Sequence, residues 1–388
     1  MDLVLRTLIR TDFRHAAQGA AALAAGMGVG RFVYTPILPL MTAQAGLGAS
    51  AGASLATANY VGNLAGALVG MLAPRLGRSV VLHRAALVLL VVTLAAMPCT
   101  TSVTGWFVLR LLAGAASGVV FVFAVNSVLG HLRGHLPGWS FSGVGAGIAL
   151  SGIVVLVVRE LGNWRAAWWA AAVLGAALAA AAWRLPPAAE SVVAALDRPR
   201  THRWFSTLFV SYTLEGVGYI IAGTFLVAAI GHGWLGGAAW ILAGLAAVPS
   251  SVGWAWLGKR WTRPGLLLTA LLVQAVGIAL PALWGGVAAA LVAACLFGAT
   301  FLGVSNLALG TGTHLRFPRS VALLTAGYSA GQILGPLLAA PLLRHGYQPA
   351  LVLGAVIVLA AAVAAAFLRV GFPHRMEDPV QPLTGEAR

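Results

Sequence analysis

Apolar runs of about 20 residues recur from one end of this chain to the other, and that feature limits its fold more than any other. A helix rises 1.5 Å per residue, so a run of that length crosses a bilayer's hydrocarbon core. Helices suit the task because every backbone N–H and C=O is bonded within the segment. Twelve spans are read, at about 15–40, 50–73, 79–98, 103–130, 136–158, 163–184, 204–229, 236–257, 264–282, 285–311, 319–343 and 348–369. Of the 388 residues 60% are hydrophobic and 9% charged, whereas a soluble domain carries roughly a quarter charged residues. The expected class is an all-α membrane protein with twelve transmembrane helices in two pseudo-symmetric six-helix bundles.

The net charge of +15 raises nucleic acid as a partner, but the placement of the cations excludes it. With the N-terminus inside, nineteen of the 24 Lys and Arg residues fall on the cytoplasmic side, and Arg159, Arg165 and Arg344 on the other. That asymmetry follows the positive-inside rule and expects both ends in the cytoplasm. The Arg- and Ala-rich composition suits a bacterial inner membrane. The apolar run after the basic N-terminus continues to Met41, too long for a cleaved signal peptide. Cys99 and Cys295 lie in different halves and suggest no disulfide or metal cluster. His131 and His135 in "HLRGH" have helical spacing without an accompanying acid or cysteine, so they read as a loop pair and not a metal site.

Between spans six and seven, "RLPPAAESVVAALDRPRTHR" carries three prolines and both signs of charge. The expected organisation is a first bundle at 1–184, a central cytoplasmic loop at 185–203, a second bundle at 204–370 and a tail at 371–388. Internal repetition supports the division. "GVVFVFAVNSVLG" from Gly118 and "GATFLGVSNLALG" from Gly298 both read Gly, seven residues, Asn, three residues, Gly. Small residues recur every fourth position in spans five and eleven, at Gly143, Gly147 and Ser151 and at Gly327, Gly331 and Gly335. Repeated halves with a site at their interface are a common transporter plan.

"GMLAPRLGR", Gly70 to Arg78, resembles the loop signature Gly-x-Leu-Ala-Asp-Arg-x-Gly-Arg of the major facilitator superfamily, with Pro74 in place of the acid. "RLLAGAASG" from Arg110 and the glycine-rich span five resemble two further motifs of that superfamily. "GMGVGRFVYTPILPLM" in span one and "EGVGYIIAGTF" in span seven resemble its bacterial YbfB/YjiJ-like branch. The resemblance implies two bundles rocking about a central cavity. It assigns Gly70, Arg75, Gly77, Arg78 and Arg110 to the parts that govern the conformational change, and it names no substrate.

A charge at mid-bilayer costs several kcal/mol, so intramembrane ionisable residues are the first candidates for function. Glu215 is the one acid of nine well inside a span. Ser211, Tyr212, Gly218 and Tyr219 are expected beside it on one polar stripe. Burial favours a carboxyl's neutral form and a nearby cation its ionised form, so a carboxyl alternating between the two can carry a proton; the alternative is a structural Glu bonding a neighbouring helix. Arg31, in the equivalent span one, needs an anion, a set of carbonyls or a route to the interface. It is read as a gate partner for Glu215 or as a fork for an anionic substrate, with Tyr34 on its face and Pro36 and Pro39 bending the helix. Asn126 and Asn306, the repeated pair, are matched helix–helix bonds or matched cavity contacts. Asn59 and Asn63 are candidate cavity amides among packing glycines, and Gln274 and Gln332 are weaker candidates. Trp164, Trp168, Trp169, Trp254, Trp256 and Trp261 read as interfacial belts.

No Walker loop or nucleophile–base set is present, and no cofactor or enzyme activity is expected. The reading is a proton-coupled secondary transporter working by alternating access on a small organic anion or zwitterion, a monomer whose partners are substrate, protons and lipid. The alternatives are proton-driven efflux of amphipathic or aromatic compounds, and a sensor that uses the fold without transport.

Overall fold

The computed structural model describes residues 2–132, 136–188, 201–230, 234–258 and 260–374. Among them every long element is a helix, and twelve long helices succeed one another. The first, α1, has two α-helical pieces, Asp2–Leu23 and Tyr34–Ala45, joined by a π-helical turn at Ala24–Val29 and a short irregular stretch. The others are α2 (Ala49–Leu72), α3 (Val80–Ala96), α4 (Val103–His131), α5 (Leu136–Leu161), α6 (Trp164–Ala182), α7 (His202–Ile230), α8 (Trp234–Leu257), α9 (Arg263–Leu283), α10 (Val287–His314), α11 (Ser320–Ala339) and α12 (Gln348–Leu368). Among the described residues, all of these helices except α2 carry a stretch long and apolar enough to cross a membrane.

The two halves repeat one packing plan. In the first, α2 packs on α4, α1 on α5, and α3 on α4 and α6; in the second, α8 packs on α10, α7 on α11, and α9 on α10 and α12. Each neighbour relation recurs six helices later, the physical meaning of the sequence echoes. Gly118 of α4 abuts the α2 backbone at Asn63 and Ala67, and its counterpart Gly298 of α10 abuts the α8 backbone at Ala243. A Cβ at either position has no room, which is how small residues let membrane helices approach. The halves meet chiefly through α5 on α8 and α2 on α11. The central segment 189–200 and the tail from 375 lie outside the described residues.

The break in α1 follows from its composition. Pro36 has no N–H to offer the carbonyl of Phe32, and the Thr35 N–H takes that carbonyl instead at 3.1 Å. Upstream, the N–H groups of Gly30 and Phe32 reach back five residues, to Ala25 and Met27. Glycines at 26, 28 and 30 let α4, α5 and α3 pack closely around the irregular turn. The tryptophans divide: Trp169, Trp256 and Trp261 are exposed, as interfacial residues should be, but Trp164 and Trp168 are buried. Trp168 donates to the Met41 sulfur at 3.4 Å, and Trp254 to the Ala299 carbonyl at 2.7 Å. Those three are packing residues, drawn inward by partners on other helices.

Candidate functional site

A cavity of about 120 Å³ lies between the halves, walled by α1, α2, α4, α5, α7, α10 and α11. Apart from Arg31 and Phe32, which sit in the irregular stretch of α1, the lining comes from helical faces. From α2 come Asn63 and Ala67, from α10 Phe301, Ser305 and Leu309, and from α11 Thr325, Tyr328, Ser329 and Gln332. Positions three, four and seven apart share a helix face, and α11 shows all three spacings at once. Tyr212 and Tyr219, seven apart on α7, and Met27 and Arg31, four apart on α1, add to the lining.

Arg31 is the cavity's one charged lining residue among those described. It is 3% exposed, so it does not reach the membrane interface. Its guanidinium lies 4.7 Å from the Tyr60 ring and 5.2 Å from the Phe32 ring, while Nε and Nη2 have no hydrogen-bond partner. A buried cation between two rings keeps its electrostatic attraction to the ring faces, but its N–H groups still require an acceptor.

The expected gate pair is not formed: Arg31 and Glu215 make no ion pair in this structure. Glu215 is fully buried and does not line the cavity; its Oε1 accepts from Gln274 Nε2 of α9 at 3.1 Å, and its Oε2 has no partner. The single polar stripe expected on α7 is two stripes. Ser211, Glu215 and Gly218 face α9 and α12: Ser211 donates to Ala361 at 2.8 Å and Gly218 abuts Gly354. Tyr212 and Tyr219 sit one residue further on, a turn of about 100°, which places them on the cavity. An aromatic layer thus separates the acid from the cavity, with Tyr212 stacked on Tyr328 at 4.4 Å and Tyr219 on Phe301 at 5.8 Å.

Three other expectations change, and one holds. Tyr34 faces away from the cavity, donating to the Gly52 carbonyl at 2.9 Å beneath the Arg110 guanidinium. Asn59 holds α2 to α4 through the Arg110 carbonyl at 3.1 Å. Asn63 does line the cavity, with Nδ2 unpartnered. The repeated pair is not a pair of buried helix–helix amides, because Asn126 and Asn306 are both exposed. Asn306 lines the central cavity and also a second one of about 390 Å³, which shares Phe141 with the first; Asn126 lines neither.

Arg110 is 1% exposed and directs Nη1 to the Gly30 carbonyl at 3.2 Å and Nη2 to the Arg31 carbonyl at 3.1 Å. The irregular turn of α1 presents these two oxygens to α4, and one planar fork serves both. Arg110 therefore holds the backbone that carries Arg31. In the loop signature, Gly77 abuts the Gly70 carbonyl, which folds the loop tightly onto the end of α2; Arg75 is exposed and Arg78 half-buried.

Sequence reasoning missed Phe32, Tyr60, Phe141, Phe301 and Tyr328. The signal was present for two of them: Tyr60 stands three residues before Asn63, and Tyr328 four before Gln332.

On the half of the molecule away from the chain ends, contacts between halves close over the cavity. Thr35 donates to the Gly223 carbonyl at 2.6 Å, the Tyr60 and Thr224 hydroxyls are 2.9 Å apart, and Phe32 packs against Trp240 at 6.2 Å. The second cavity, with Arg263 and Trp254 in its wall, lies between α5, α8, α9 and α10.

The sequence matches the model of a family described as "Uncharacterised MFS-type transporter YbfB" over residues 23–366. Among solved structures it is similar to a point mutant of the nucleoside transporter NupG, with a TM-score of 0.72 at 12% identity, covering 92% of this chain and 99% of that one. A second NupG structure gives a TM-score of 0.67 at 14% identity, covering 92% and 98%. Comparison with curated proteins gives no match. At such identities the structural likeness speaks to the fold alone.

Proposed function

The chain belongs to the YbfB-type major facilitator transporters, and from that premise we propose that it moves a small organic anion or zwitterion by alternating access, coupled to protons. The observation that carries the reading is Arg31: a buried guanidinium in the wall of the cavity between the halves, with two nitrogen positions unpartnered. An anionic group supplies the acceptors those nitrogens lack, and a guanidinium fork binds a carboxylate in two-point fashion. The closed half and the second cavity toward the chain ends support a conformation facing the cytoplasm, given the expected topology in a bacterial inner membrane.

Glu215 is the proposed proton carrier. It is fully buried, has one oxygen unpartnered, and lies behind the tyrosines that line the cavity. Rearrangement of Tyr212, Tyr219 and Tyr328 as the halves rock is the proposed means of exposing it. The aromatic wall also favours a second reading, export of amphipathic or aromatic compounds.

Proteoliposomes loaded with purified protein test the mechanism. Glu215→Gln should abolish accumulation of substrate driven by a pH gradient while sparing substrate exchange. Undiminished proton-driven accumulation in that variant removes Glu215 from the mechanism. Arg31→Lys should weaken substrate binding, because an ammonium cannot reproduce the fork; unchanged binding removes the anion-fork role.

A further inference from the structure

We propose that the central cavity selects a single-ring aromatic monocarboxylate, held by its carboxylate at Arg31, Asn63 and Gln332. The proposal rests on the anion reading above and narrows it by three independent features of the cavity wall.

The first is the sign of its unmet hydrogen bonds. Among lining residues, the buried side-chain atoms without a partner are Arg31 Nε and Nη2, Asn63 Nδ2 and Gln332 Nε2. All are N–H donors, and Arg31's are donors under any assignment, because a guanidinium has no acceptor. The unmet buried acceptors nearby, Glu215 Oε2, Gln274 Oε1 and Asn59 Oδ1, belong to residues outside the lining. A ligand suited to these four nitrogens brings acceptors. A carboxylate does so, with two oxygens and about four lone-pair sites. Sulfonates and phosphates share that chemistry.

The second is charge. Among the described residues no acid lines the cavity to compensate Arg31, so one negative charge on the ligand balances it. A zwitterion's ammonium finds no carboxylate there.

The third is shape. The rings of Tyr212, Tyr219, Tyr328, Phe301, Phe32 and Phe141 form much of the wall, and several already stack face to face within the protein. Flat ligands complement stacked aromatic walls. The volume, about 120 Å³, is of the order of the roughly 150 Å³ cavity that admits benzene. One ring with a small head matches that scale. A nucleoside, the substrate class named for NupG, requires the cavity to enlarge.

The test is calorimetric titration of the purified full-length protein in detergent with benzoate, against probes that each remove one feature. Acetate lacks the ring, benzamide the charge, and cyclohexanecarboxylate the flatness, while benzenesulfonate and phenylphosphate change the anion and phenylalanine adds an ammonium. The expected result is that benzoate binds roughly tenfold or more tightly than each of them. Arg31→Gln should remove benzoate binding and Gln332→Met should weaken it severalfold; the second variant guards against misfolding of the first.

If acetate or cyclohexanecarboxylate equals benzoate, ring selection is overturned while the anion reading stands. If benzenesulfonate or phenylphosphate wins, the carboxylate assignment is overturned and the anion site kept. If benzamide equals benzoate, or Arg31→Gln binds benzoate normally, the anion reading falls along with the proposal. Binding of none of the anions overturns both.

Discussion

Arg110→Lys is a sharp test of how the site is held, because it preserves the buried charge and removes the fork together with its stacking on Tyr34. Arg110 reaches two adjacent carbonyls, Gly30 at 3.2 Å and Arg31 at 3.1 Å, while its guanidinium covers the Tyr34 ring at 4.8 Å. A lysine ammonium is a compact donor on a flexible stem. It serves one of those carbonyls in good geometry and leaves the other buried without a donor. A hydrogen bond from a charged group contributes roughly 1.5–3 kcal/mol, and an aromatic face beneath a cation about 0.5–1 kcal/mol more. Together they put the cost near 2–4 kcal/mol, read by unfolding titration in mixed micelles against the parent protein. Because the freed carbonyl belongs to the turn that presents Arg31, ligand binding should weaken even in protein that remains folded. A Lys variant within about 0.5 kcal/mol of the parent, a difference usual for unremarkable surface changes, would refute the buttress. So would a variant that is destabilised yet binds ligand normally.

Other consequences follow from the packing and from the closed half. Gly118→Ala and Gly298→Ala should each cost about 1–3 kcal/mol or more by overpacking, since the added Cβ meets the α2 or α8 backbone; unfolding titrations measure both. Gly253→Ala, with open space around it in α8, should be neutral or stabilising by up to about 1 kcal/mol in the same assay. Tyr60→Phe removes the hydroxyl contact to Thr224, worth roughly 1 kcal/mol, and should shift the two-state conformational equilibrium about fivefold away from closure of that half. Spin labels across the α2–α7 contact measure the shift, and an unchanged distance distribution contradicts it. Gln274→Leu removes the hydrogen bond to Glu215 and should move the pH dependence of proton-driven uptake, with substrate exchange at fixed pH retained. An unmoved pH profile would sever Gln274 from coupling.

Much of the fold is legible in the sequence because bilayer thickness imposes a length on each apolar run. The break in α1 announces itself through Gly26, Gly28, Gly30 and Pro36, whose backbone properties are local, whereas Pro39 lies inside the helix that follows it. The repeat from Gly118 and Gly298 is legible because equivalent glycines meet equivalent neighbours. The site is less so. Helical spacing groups residues onto faces but does not say which neighbour a face meets. Ser211, Tyr212, Glu215 and Tyr219 all fall within one broad arc of α7, yet the boundary between cavity and bundle core runs through it. Glu215 and Arg31 were paired by charge and by repeat position, but Gln274 on α9 takes the acid and Tyr60 on α2 faces the cation. Those partners come from tertiary packing, which no local pattern encodes. Asn126 and Asn306 share a repeat position, but only Asn306 lies where the second cavity meets the first.

The account turns on Arg31 holding an anionic group in the cavity between the halves. The most direct measurement is a thermal-shift screen of metabolites and drugs, run in parallel on the purified parent and on Arg31→Gln. A ligand at about 100 times its dissociation constant stabilises the folded state by roughly 2.7 kcal/mol, ample for detection. The account predicts that stabilising compounds are predominantly small organic anions, and that their effect disappears in the variant. Neutral or cationic compounds that stabilise parent and variant equally would contradict it.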